Sequence, residues 1–257
     1  MKGFQCMAGH SKWANIKHRK GRQDEKRGKL WSKIAKTIIM AAKAGGGDPA
    51  GNLTLRYAID EAKEANMPKD TIQNAIKKGT GELAAENYEE VVYEGYGPCG
   101  VAFMVYALTD NRNRTGPELR KIFDRAGGQL GATNCVAYMF TQKGTLSIPA
   151  DKADEDTLME IAIDAGADDV AREDDFFEIT CEPLVFANVK DALAAKGILP
   201  SSSELAMIAS NLVTPDVEKA RQVMNLMEQL EDQDDVQKVF TNLDIPEELM
   251  KELENEG

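Results

Sequence analysis

A chain of 257 residues with 42% hydrophobic and 29% charged content can bury more than one core and reads as roughly two to three soluble domains. Its formal net charge of -12 argues against a surface that attracts polyanions everywhere, and no apolar run nears the ~18 residues of a membrane span. Cys6, Cys99, Cys135 and Cys181 lie far apart with no CxxC pair, which points away from a zinc site or disulfide framework and towards a reducing cytoplasm.

Residues 1–6 carry no apolar signal-peptide core and read as an extension ahead of Met7. From Met7 to Lys43 the charge reverses. That stretch holds 11 Lys/Arg against Asp24 and Glu25, or +9, while the other residues hold 20 Lys/Arg against 41 Asp/Glu, or -21. A polyphosphate would meet one attractive end on a repulsive body.

The basic stretch has two parts. Residues 8–22 lack a sustained apolar period and are expected to be an extended, mobile tail. Lys12, Lys17, His18, Arg19, Lys20 and Arg22 crowd it, and Trp13 offers a flat ring that can stack on an unpaired base. His10 and His18 have no cysteine or carboxylate partners nearby, so phosphate or base contacts suit them better than a metal. From about Gln23 the pattern becomes helical. Leu30, Trp31, Ile34, Ala35, Ile38, Ile39, Ala41 and Ala42 share one side, and Lys26, Lys29, Lys33, Lys36 and Lys43 the other, with Arg27 the single basic exception, which predicts a helix that buries one face and shows lysines outward.

Gly45-Gly46-Gly47 with Asp48-Pro49 reads as a helix stop, because a phosphate loop would need a GK[ST] step after a strand. Leu55, Ala58, Ile59 and Ala62 then mark a second helix, and Pro68, Ile72, Ala75, Ile76 and Gly79 a third. A helical domain over 23–81 follows. Residues 90–96 and 101–108 predict a hairpin across Gly97-Pro98-Cys99-Gly100. Thr115 with Glu118 predicts a capping box for a helix through Arg125. Arg112 and Arg114 would sit in the polar loop before it, either contacting phosphate or simply solvated beside Asp110 and Asn111.

Residues 144–213 predict a unit of their own: a strand at 145–148, a helix at 154–165, a strand pair at 170–173 and 176–181, a helix at 184–195 and a strand at 204–212. That βαββαβ order is the ferredoxin-like plan. Its acids, Asp154, Glu155, Asp156, Asp168, Asp169, Glu173, Asp174 and Asp175, form no DxDxDG loop and read as a solvated face. A helix from Pro215, capped by Thr214 and striped by Val217, Ala220, Met224 and Met227, then precedes a strand through Val236 and Phe240. Methionines at this spacing suggest core packing. Residues 82–143 and 214–245 thus form a second α+β domain, and 246–257 a C-terminal tail.

GHSKWANIKHRKG with GRQDEKRGK, GGGDPAGN at 45–52, ANMPKDTIQNAIKKGTGE at 65–82, YEGYGP at 93–98, LTDNRNRT at 108–115 and Leu130-Gly131 together resemble the YebC family along the chain from Met7 onward. Lys36-Thr37, Cys99 and Ala132-Thr133-Asn134 depart from its usual residues. The resemblance implies an N-terminal helical domain, a second α+β domain, and a ferredoxin-like third domain inserted into the second. Members carry the name of DNA-binding transcriptional regulators, and the mitochondrial translational activator of cytochrome oxidase subunit I links the family to translation on the ribosome.

No GxSxG, HExxH, DFG or Walker sequence appears, so an enzyme is not expected, nor any cofactor or metal. The expected activity is binding of nucleic acid, either DNA or ribosomal or transfer RNA, with Arg112 and Arg114 joining the tail and helix cations as candidate contacts. An adaptor whose acidic domains bind basic proteins is the alternative from another class.

Overall fold

In the computed structural model, residues 24–84, 87–173, 175–246, 248–250 and 252 are described. Three helices come first: α1 (Asp24–Gly45), α2 (Leu53–Glu64) and α3 (Lys69–Gly79). Their apolar stripes meet in one core of Ile34, Ile38, Ile39, Leu55, Ala58, Ala62, Ile72 and Ile76. The three-helix period that the sequence carries is therefore spent on mutual burial, worth about 1.5–3 kcal/mol for each fully buried large side chain.

Two local devices fix the helix corners. Gly46 takes φ 84° to end α1. Buried Asn52 then donates to the carbonyls of Ala41 (2.8 Å) and Gly46 (2.9 Å) while its Oδ1 accepts from the Leu55 amide (3.0 Å). One side chain so satisfies the end of α1 and the start of α2. Gly79 allows α3 to touch α1, since a Cβ there would lie 2.5 Å from the Ile39 carbonyl oxygen and 2.6 Å from the Ala42 Cβ.

The next elements are β1 (Glu89–Tyr96), β2 (Ala102–Thr109), α4 (Arg112–Arg125) and the short β3 (Gln129–Leu130). β1 and β2 form the expected antiparallel hairpin, with Tyr93 opposite Val105 and Glu94 opposite Met104. After the excursion through 137–212, the chain returns with α7 (Val217–Glu231) and β8 (Val236–Thr241). The sheet order is β3-β1-β2-β8. α4 and α7 supply Leu119, Phe123, Val223, Leu226, Met227 and Leu230 to a core with Phe103, Val105 and Val239, and Phe103 meets Phe123 edge-to-face at 5.6 Å. The methionine stripe is core.

Residues Ala137–Leu212 form a separate compact unit, interrupting the one that precedes and follows it. It runs β4 (Phe140–Pro149), α5 (Glu155–Asp164), β5 (Ala167–Glu173), β6 (Phe176–Cys181), α6 (Phe186–Ala195) and β7 (Ser202–Ala209). The order β5-β6-β4-β7, antiparallel at every pairing, gives the ferredoxin-like arrangement. The fold class is thus a helical domain plus two α+β domains, the third ferredoxin-like. Asp154 caps α5 by accepting from the Thr157 amide at 3.2 Å, with Glu155 and Asp156 in the first turn, where the helix dipole favours negative charge. Asp168 and Asp169 are exposed, and Lys143 pairs with Asp168 at 2.9 Å.

Two predicted caps are corrected. Helix α4 begins at Arg112, capped by Asn111, whose side chain accepts from the amides of Asn113 and Arg114; Thr115 is buried inside the first turn. Helix α7 is capped by Asp216, which accepts from the Lys219 amide at 2.8 Å, while Thr214 donates to Asp244. In both places two capping residues compete within a few positions, and the apolar stripe fits either start. Strand β4 also begins five residues before the predicted 145, because pairing with β7 from Phe140 to Ala209 onward recruits a polar stretch with no strand signature.

Candidate nucleic-acid interface

Lys12, Trp13, Lys17, His18, Arg19, Lys20 and Arg22 lie outside the described residues, as does the side chain of Lys26. The described part of the candidate surface starts with α1. Its apolar face is fixed by the helical core, and the Trp31 indole N–H donates to the Ala65 carbonyl at 2.9 Å. That fixes where the opposite face points.

The lysines there do not stand free in solvent, which corrects the expectation of an outward row. Lys29 donates to the Asp232 carbonyl at 3.3 Å and lies 3.9 Å from the Asp234 carboxylate. Lys33 donates to the Glu231 carbonyl. Lys36 donates to the Asp234 carbonyl at 3.0 Å and to Asp235 Oδ1 at 2.8 Å, with its ammonium 5.4 Å from the centre of the Tyr88 ring. All three reach the corner after α7, where four acids follow one another around Gln233 and the last helical turn has no basic residue of its own. Cations near helix carbonyl ends are favourable, so α1 supplies the charges that α7 lacks.

Arg112 and Arg114, expected in a loop, occupy the first turn of α4. Arg112 pairs with Glu89 at 2.7 Å. Arg114 reaches Asp110 at 2.8 Å and Asp235 Oδ2 at 2.7 Å. Thr115 donates to the same Oδ2 at 2.7 Å, and Thr109 and Thr115 hydroxyls lie 2.8 Å apart. The Asp235 carbonyl accepts from the Leu108 amide at 2.8 Å.

Asp235 is therefore the organising residue, with a side chain only 3% exposed. Burial opposes its charge, yet hydrogen bonds from Lys36, Arg114 and Thr115 outweigh that and hold its carboxyl well below the usual range. The same bond from Asp235, with help from Asp110, holds the Arg114 guanidinium more firmly in its charged form. The carboxylate gathers cations from two distant segments into one place on the surface. Lys29 and Arg112, on the two helices that meet there, remain exposed, and along the outer side of α4 so do Arg120, Lys121 and Arg125.

Sequence reasoning found the cations and missed the acid that organises them. Asp235 stands in the acidic run EQLEDQDDVQ, and nothing there separates the one inward carboxylate from its solvated neighbours. Glu94 was missed as well. It is buried, and its two oxygens accept from the amides of Asn134 (2.7 Å) and Val136 (2.8 Å), while its carbonyl takes the Gly131 amide. The exposed turn 131–134 is thereby held on β1. Strand parity gave a partial signal, since Tyr93 and Glu94 must face opposite sides of the sheet.

Among the described residues no cluster of His, Cys, Asp or Glu fits a metal ion, and no helix is long and apolar enough to cross a membrane. The comparisons with known proteins agree along the chain. The TACO1/YebC protein N-terminal domain model matches residues 11–82, and the model for the TACO1/YebC second and third domain matches 88–243. The chain is 56% identical to a "Probable transcriptional regulatory protein" of Maridesulfovibrio salexigens, covering 97% of this chain and 100% of that one. It is 53% identical to a protein of the same description from Natranaerobius thermophilus, over 95% and 99%. Among solved structures, a conserved hypothetical protein of Aquifex aeolicus superposes with a TM-score of 0.82 at 46% identity, covering 91% of this chain and 97% of that one. Matched by family models in all three domains and by relatives above half identity over nearly its whole length, the chain belongs to the TACO1/YebC family.

Proposed function

We propose that this protein is a non-enzymatic, cytoplasmic regulator of gene expression that acts by binding nucleic acid through its basic N-terminal segment. The observation that carries the reading is charge segregation: +9 within residues 7–43 of a chain whose net charge is -12. Such a molecule is drawn to phosphate at one end and repelled elsewhere, which orients the encounter. The geometry supports the reading in a second way. Helix α1, which carries the segment, is anchored by Trp31 and by Asp235 to the body behind it, so a bound tail has a rigid base. The relatives' shared description as transcriptional regulators is consistent with a nucleic-acid partner.

Lys12, Trp13, Lys17, His18, Arg19, Lys20 and Arg22 are the proposed contacts in the tail, with Lys26 and Lys29 at the base. Arg112 and Arg114 have a structural duty at Glu89 and Asp235, so their proposed share is secondary. Trp13 favours a target with unpaired bases, such as ribosomal or transfer RNA, over a closed duplex groove. Recovery of the protein from extract after RNase or DNase treatment separates the cases. Cosedimentation with ribosomes that is lost when residues 8–22 are deleted supports RNA and translation; selective recovery of promoter DNA supports transcription. Retention of a protein complex after charge reversal of Lys12, Lys17, Arg19 and Lys20 would instead support an adaptor.

A further inference from the structure

The lysine row of α1 and the acidic corner after α7 fit each other as a polycation fits a phosphate backbone. Lys29, Lys33 and Lys36 recur at i, i+4 and i+7, so they form one stripe. Each meets the corner: Lys29 at the Asp232 carbonyl and the Asp234 carboxylate, Lys33 at the Glu231 carbonyl, Lys36 at the Asp234 carbonyl and Asp235. The corner is negative twice over, through the carboxylates of Glu231, Asp232, Asp234 and Asp235 and through the carbonyls that end a helix.

The contact has the character of a separable one. The helical core and the α+β core are two distinct clusters, and α1 meets the corner through the hydrogen bonds of Lys29, Lys33 and Lys36. Gln237, beside it, takes a hydrogen bond from Thr37 but leaves its buried Nε2 without a partner. The two ends differ. The side chains of Lys36 and Asp235 are 14% and 3% exposed, whereas those of Lys29 and Asp234 are 55% and 78% exposed. Exposed pairs are weak and screened by salt.

We propose that residues 231–234 act as an internal competitor for polyphosphate: they occupy Lys29 and Lys33 in the free protein and yield them to nucleic acid on binding, with the Lys36–Asp235 pair as the fixed pivot. This rests on the nucleic-acid reading above and adds its regulation. The corner discriminates by competition. A ligand that reaches only the tail leaves the lysines closed, and one that extends to α1 must displace the acids.

The test is a double-mutant cycle in the full-length chain, read by fluorescence anisotropy with a short fluorescein-labelled single-stranded RNA at fixed salt. Asp232→Asn with Asp234→Asn is compared with Glu160→Gln with Asp164→Asn, which removes the same charge from exposed positions of the other unit. The corner variant is expected to bind about fivefold tighter than the matched variant, at the low end of site-to-site couplings. That gain should vanish when Lys29→Gln and Lys33→Gln are added. An equal gain from both acid pairs, or a gain that persists without the two lysines, overturns the inference. If binding depends on residues 8–22 but shows no such coupling, the competitor is wrong and the nucleic-acid reading stands; if neither the parent chain nor the variants bind RNA or duplex DNA, both fall.

Discussion

Lys36 and Arg114 close on opposite oxygens of one carboxylate: Lys36 Nζ is 2.8 Å from Oδ1 of Asp235 and Arg114 Nη2 is 2.7 Å from Oδ2. One residue comes from the helix that carries the basic segment and the other from the first turn of α4. Two segments that look independent in sequence are thereby held together at one carboxylate. The cost of burying a charge is offset only because every strong partner is present at once.

Asp235→Asn is expected to destabilise the folded chain by about 3 kcal/mol at pH 7, at the low end for breaking a buried pair because Arg114 stays partly solvated. The carboxyl is held below its ordinary value of 3.8 in the folded state, so the stabilisation is present above about pH 4 and is lost as pH falls further. Urea unfolding at pH 7 should separate parent and variant, and the gap should narrow as the pH is lowered through the acid range. A pH-independent difference would assign the effect to packing.

Glu94→Ala removes the acceptor for the buried Val136 amide and the part-buried Asn134 amide. A loss of about 2 kcal/mol is expected from stranding them. Amide hydrogen exchange is the more specific check, because protection should fall at Asn134 and Val136 well before it falls in the strands.

Cys99 occupies a left-handed conformation with φ 60° and ψ 17° in the turn between β1 and β2. That region is costly for a residue with a Cβ and open to glycine. Its thiol is free and exposed, so little packing is lost when it is removed. Cys99→Gly is expected to raise stability by about 0.5–1 kcal/mol, read as a higher urea midpoint with an unchanged slope.

Gly79→Ala tests the helical core from the opposite direction. Its new methyl group would press on the backbone of Ile39, which cannot rotate away as a side chain does. A cost of about 1–3 kcal/mol is expected, and loss of α-helical circular dichroism at lower temperature than the parent would register it.

Periodicity made the helices legible. Ile72, Ala75 and Ile76 are inside as their spacing requires, and Gly45 and Gly46 end α1 where the glycine run begins. The β1–β2 hairpin was equally clear from its two β-rich runs across a glycine-bearing turn. The starts of α4 and α7 were not, since Asn111 and Thr115, or Thr214 and Asp216, are chemically interchangeable until a tertiary partner claims one of them. Thr115 is claimed by Asp235. At the candidate surface, the cations could be read from charge alone, but the direction of a lysine depends on which acids the fold brings opposite it. Sequence could see that Lys29, Lys33 and Lys36 share a stripe and could not see the corner that faces them.

The most direct test of the central claim is the salt dependence of nucleic-acid binding by the parent chain and by a variant lacking residues 8–22. If about six cations of the basic segment neutralise phosphates, log affinity of the parent should fall with log salt concentration at a slope of roughly -4 to -5, and the deletion should flatten that slope and weaken binding at low salt. A parent slope near zero, or a deletion variant that binds with the same affinity and slope, would contradict the account.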